Sequence, residues 1–135
     1  MKSTLDLLNE LRTMANGLSS TKDDAEENRL HMAVGLATEA GEVLDIEKKY
    51  RYQGHGPMWA GDRIPAEVGD TLFYLLGYLD AVDLDIRDCL VAVLAKLRYR
   101  YPTDEFRPED TLYRDKDGER AAVRGAITRD REERV

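Results

Sequence analysis

Residues 36–43 read Leu-Ala-Thr-Glu-Ala-Gly-Glu-Val, and residues 65–74 read Pro-Ala-Glu-Val-Gly-Asp-Thr-Leu-Phe-Tyr. They hold two acidic pairs at the same spacing, Glu39 with Glu42 and Glu67 with Asp70. Each pair lies inside an apolar run of helical character. Residues three apart on a helix are neighbours on one face, so each helix presents two carboxylates side by side. Two such helices packed together bring four carboxylates around one point. Like charges that close repel, and burying them unpaired is costly. A divalent cation is the simplest partner that makes the arrangement stable.

With about 100° of turn per residue, Glu39 and Glu42 share a face with Met32, Gly35 and Ile46. Glu67 and Asp70 share theirs with Tyr74, Gly77 and Ala81. Neither is the mixed-charge stripe of a solvated helix surface, and the glycines leave room beside the acids. A lone Glu-x-x-Glu reads as ordinary surface charge. Two pairs on successive helices, both on weakly polar faces, favour a metal site.

Working outward, the chain is 135 residues long with 27 acidic and 20 basic side chains, a formal net charge of −7. That balance argues against general nucleic-acid binding. It leaves room for a small anionic substrate approached through a metal. The single cysteine, Cys89, allows no internal disulfide, fits a reducing compartment and reads as a packed thiol. The first apolar stretch is interrupted by Asp6, Asn9 and Glu10, unlike a signal peptide. No run approaches a membrane span. The expectation is a soluble, cytoplasmic protein with no membrane partner.

A first helix is expected from Ser3 or Thr4 to Ala15, stopped by Asn16-Gly17, with Leu5, Leu8, Leu11 and Met14 or Ala15 as its apolar stripe. Thr21 and Asp24 resemble a capping box. The second helix runs to Tyr50 or Tyr52 and is apolar nearly all round, which implies burial inside an oligomer. Lys48, Lys49 and Arg51 suit its C-terminal dipole or a phosphate. The loop 53–64 carries His55, Met58 and Trp59, as packing or as a wall for a planar ligand. Pro65 opens the third helix, with Leu72, Leu76 and Leu79 facing the core. Asp83 or Asp85 caps the fourth, whose core stripe is Ile86, Leu90, Leu94, Leu97 and Tyr101. Residues 107–135 form a charged extension beyond a domain of residues 1–106, either an extra helix or a polar tail.

Three segments together resemble the MazG-like nucleoside triphosphate pyrophosphohydrolases, of the all-α NTP pyrophosphatase superfamily. They are His31–Asp45, "HMAVGLATEAGEVLD"; the run from Ala66, "AEVGDTLFYLLGYL"; and Ala95–Pro102, "AKLRYRYP". They span most of residues 28–106. The chain departs from many relatives in carrying Thr38 where they have a further glutamate. It also has Val93 where they often have an asparagine three residues before the lysine.

The resemblance implies an all-α, four-helix MazG-like bundle completed by oligomerisation, as a homodimer or homotetramer. It implies hydrolysis of a nucleoside triphosphate between the α and β phosphates, giving a monophosphate and pyrophosphate. In that reading Glu39, Glu42, Glu67 and Asp70 hold Mg²⁺, with Mn²⁺ as substitute, and Glu39 takes the proton of the attacking water. Lys48, Lys96 and Arg100 stabilise the leaving pyrophosphate, and Tyr74 touches the sugar or base. A di-iron bundle needs Glu-x-x-His, and neither His31 nor His55 follows a glutamate by three. The alternatives kept open are a related pyrophosphohydrolase, such as one acting on phosphoribosyl-ATP, and a non-catalytic helical interaction module.

Overall fold

The computed structural model describes residues 1–56 and 61–135, so Met58 and Trp59 of the loop lie outside the described residues. The described residues form six helices and no strand. These are α1 (Thr4–Leu18), α2 (Ala25–Tyr52), α3 (Arg63–Ala81), α4 (Ile86–Arg100), α5 (Pro108–Leu112) and α6 (Lys116–Glu133). The all-helical expectation holds. The chain divides into two compact units, Met1–Leu84 and Asp85–Val135.

In the first unit, α3 packs against both α1 and α2. A Cβ on Gly35 would overlap the Tyr74 ring, and one on Gly77 would lie 2.5 Å from the Met32 sulfur. Position rises along α3 as it falls along α2, so the two helices are antiparallel and close. Met32, Ile46, Leu76, Leu79 and Ala15 form the buried apolar core. Leu72 is exposed, unlike its expected place, because the packed face of α3 follows Leu76, Gly77 and Leu79. Asp80 ties α1 to α3, accepting hydrogen bonds from Arg12 and, at 2.6 Å, from Asn16.

Helix ends follow local chemistry. Ser3 and Asp6 form a reciprocal capping box on α1. That helix runs on through Gly17 to Leu18, three residues past the expected stop, and Asn16 in its last turn bonds Asp80. The cap of α2 is Asp24 alone, which accepts from the backbone N–H groups of Glu26 and Glu27. Thr21 is not its partner. The Thr21 hydroxyl lies 3.0 Å from His31 Nδ1 instead. α3 starts at Arg63, two residues before the expected opening at Pro65, which sits in the first turn, where a missing N–H costs nothing. Asp83 closes the turn after α3 with φ 51°, a left-handed conformation that Asp tolerates.

In the second unit α4 and α6 pack antiparallel, and ion pairs fix their register. Arg87 meets Asp130, Arg131 and Arg134 meet Asp88, and Arg100 meets Glu119. The buried residue of α4 is Asp88. Ile86, Leu90, Leu94 and Leu97, expected as its core stripe, are all exposed. α6 approaches a different face of α4, the one that carries Asp88, and Val91, Ala92 and Ala95 of α4 and Ala122, Val123, Ala126 and Ile127 of α6 are half-buried beside the ion pairs. Asp85 caps α4 through the N–H of Arg87 at 2.9 Å.

Candidate metal centre

The antiparallel register that sets Gly35 against Tyr74 also brings the acidic turns of α2 and α3 together. Carboxylate oxygens of Glu39, Glu67 and Asp70 all lie within 4.8 Å of one another. Glu39 and Glu67 are half-buried and Asp70 is exposed. Three oxygens at that spacing fall within the reach of one octahedral cation after small side-chain rotations, since Mg²⁺ binds oxygen at about 2.0–2.1 Å. Glu42 lies outside this group and is exposed. Its charge still acts on the site.

Glu39 carries the electrostatic signature. Desolvation pushes its carboxyl above the ordinary range, and the charges of Asp70, Glu67 and Glu42 push the same way. Among the described residues, the Arg63 guanidinium, on the first turn of α3, pairs with Glu67 of the group at 4.0 Å. Among the described residues, three carboxylates converge where one guanidinium pairs with one of them. The donor set, all hard oxygen and underneutralised, fits a hard divalent cation.

The other expected site residues divide. Tyr74 packs over Gly35 and meets the His31 ring edge-on, with centroids 6.1 Å apart. One turn from Asp70, it forms a wall beside the acids. Lys48 is exposed and pairs with Asp45 at 2.5 Å, as Lys49 also does. These lysines hold the Asp45 carboxyl at about 2. Lys96 and Arg100 both belong to the second unit. Arg100 forms a two-pronged pair with Glu119, at 2.8 and 3.0 Å. Its side chain is 14 % exposed, so it is committed to α6. Lys96 is half-buried and faces a cavity between α4 and α6.

Two features escaped the sequence reading. The first is a polar chain beside Tyr74. Buried Ser19 donates to Asn28 at 2.6 Å, Ser19 and Thr21 hydroxyls are 3.2 Å apart, and Thr21 reaches His31. It depends on how the segment 19–24 folds back, which no periodicity reports. The second is the Thr38 hydroxyl, which donates to the Gly35 carbonyl at 2.9 Å and so turns back on its own helix. Comparison of the chain with family models, curated proteins and solved structures gives no match.

Proposed function

We propose that this chain is a divalent-cation-dependent hydrolase of nucleoside triphosphates. It splits the bond between the α and β phosphates to release a monophosphate and pyrophosphate. The observation that carries the reading is the convergence of Glu39, Glu67 and Asp70 from two helices. The motif resemblance over residues 28–106 supplies the reaction. Mg²⁺ held by these carboxylates would neutralise the triphosphate and polarise the α-phosphorus.

The chain's own residues have separable tasks. Glu39, whose carboxyl is made more basic by desolvation and its acidic neighbours, accepts the proton of the attacking water. Glu67 and Asp70 anchor the cation, and Glu42 adds negative charge from the rim. Tyr74 supplies a flat wall for the sugar or base. Exposed Leu30, Val34 and Leu44 on α2 supply an apolar surface that a second copy would cover, in keeping with a homodimer or homotetramer.

The test is a pyrophosphate-release assay with Mg²⁺ over the common ribo- and deoxynucleoside triphosphates, with Glu39→Gln and Asp70→Asn beside the wild type. The reading expects pyrophosphate and monophosphate in equal amounts, lost in both variants. Release of single phosphate, or turnover unchanged in Asp70→Asn, would contradict it.

A further inference from the structure

The acidic excess of this chain is not spread evenly. Residues 1–84 carry 15 acidic and 8 basic side chains, whereas residues 85–135 carry 12 of each. Within the neutral second unit the charges are sorted again. A cavity of about 390 Å³ is lined by Lys96 of α4, Arg114 of the α5–α6 turn, and Lys116, Arg120 and Arg124 of α6, with Glu119 as its one carboxylate. Five cationic residues, one acid and Val123 line it, in a protein whose net charge is −7.

The remaining partners of these cations explain why the excess is real. Glu119 is already matched by Arg100 and Arg114, which hold its carboxyl at about 2. Arg120 pairs with Asp117 at 3.2 Å, but both side chains are largely exposed, where such a pair contributes little. Lys96, Lys116 and Arg124 pair with no carboxylate among the described residues. Elsewhere in the unit Arg87, Arg131 and Arg134 each meet an aspartate, while Arg98, Arg107 and Arg129 stand apart from one another in sequence and none lines the cavity. Cations left together without counter-charge repel, and an anion relieves that cost.

The geometry points to a metal-independent anion site: this cavity takes a compact oligophosphate, two or more linked phosphates, through Lys96, Lys116, Arg120 and Arg124. The Glu119 network joins α4, the α5–α6 turn and α6, so the backbone that carries these side chains is fixed before a ligand arrives, which lowers the cost of binding. Arginine forks match phosphate oxygens, and lysines add point charge. The volume lies within the range of small-molecule sites and exceeds what one phosphate fills. A carboxylate ligand brings a single charge per group and leaves most of the cations unmatched. The inference does not rest on the hydrolase reading, because its residues and those of the carboxylate site lie in different units.

The test is calorimetric titration of the full chain with inorganic tripolyphosphate, in EDTA and low salt. Wild type is compared with a Lys116→Gln/Arg124→Gln double variant, with Arg124→Lys and with Asp70→Asn. Circular dichroism checks that each variant is folded. Saturable binding is expected. It weakens at least about tenfold in the double variant and as salt rises, is largely kept in Arg124→Lys, and is unchanged in Asp70→Asn. A parallel titration with a nucleoside triphosphate separates the sources. Tighter binding of the nucleotide assigns the site to a nucleotide's phosphate tail, and equal or weaker binding to free oligophosphate. Absence of binding, equal binding of sulfate at matched ionic strength, or unchanged binding in the double variant would overturn the proposal.

Discussion

Residues 1–84 bury Met32, Ile46, Leu76 and Leu79 around the α2–α3 contact, whereas residues 85–135 bury Asp88 and Glu119. The first unit is held by apolar packing and leaves its acids at one point without enough positive charge. The second spends its arginines on carboxylates and leaves its leucines outside. The contrast teaches where chemistry can be placed. Apolar packing lets α2 and α3 come close at Gly35 and Gly77, and the closeness forces carboxylates together at the next turn. Where ion pairs tie the helices, as between α4 and α6, the paired carboxylates are neutralised and are poor ligands for a cation.

The largest expected effect is on activity in the first unit. Asp70→Asn should lower Mg²⁺-dependent pyrophosphate release by about 10²–10³-fold, since it removes charge where the reacting group is stabilised. Glu119→Gln, which loosens the second unit, should leave much of that activity. Equal losses in the two variants would collapse the distinction between the units. A stability comparison comes next. Ile46→Ala, at a position 2 % exposed, should cost about 2–5 kcal/mol in chemical denaturation. Leu90→Ala, on the exposed face of α4, should cost much less.

The second unit should also be the more sensitive to acid. Arg100 and Arg114 depress the Glu119 carboxyl from 4.5 to about 2 in the folded chain. Its contribution is therefore present above the unfolded value and is lost as pH falls from about 4.5 towards 2. Asp88 and Asp130 are lowered in the same sense by their arginines. Glu39 is raised, so its contribution is full below the unfolded value and is lost as pH rises through the folded one. Asp45 runs the other way within the first unit, but its lysines are partly exposed and its share is screened. Hydrogen exchange between pH 5 and 2 should show α4 and α6 losing protection before α2 and α3. The reverse order would break the comparison.

The smallest effects concern glycines. Gly35→Ala pushes a methyl into the Tyr74 ring and should cost about 1–3 kcal/mol through overpacking. Gly41, on the same helix, has nothing within 4 Å of an added Cβ. Gly41→Ala should stabilise by up to about 1 kcal/mol through helix propensity. Denaturant melts of the two variants would sharpen the claim that close approach at Gly35 sets the α2–α3 register.

The helices were legible because their caps and periods are local. Asp85, Pro65 and the apolar run of α2 announce themselves in sequence. Three of the four acids meet for the same reason, since a three-residue spacing fixes a face. Glu42 shares that spacing with Glu39, yet falls outside the group because facing a neighbour also depends on depth along it. The fate of Arg100 was not legible. Its partner Glu119 is 19 positions away, and although Ala122, Val123, Ala126 and Ile127 repeat at helical spacing beyond it, ion pairs leave no periodic trace. The leucine stripe of α4 misled for the complementary reason: periodicity shows that a face is apolar, not which neighbour arrives.

The most direct measurement is titration of the full chain with Mn²⁺, read by electron paramagnetic resonance, on wild type, Asp70→Asn and Glu119→Gln. The account predicts saturable binding in wild type and Glu119→Gln, and its loss in Asp70→Asn with circular dichroism unchanged. Binding that survives in Asp70→Asn, or that is absent from wild type, would contradict the assignment of Glu39, Glu67 and Asp70 as a metal centre.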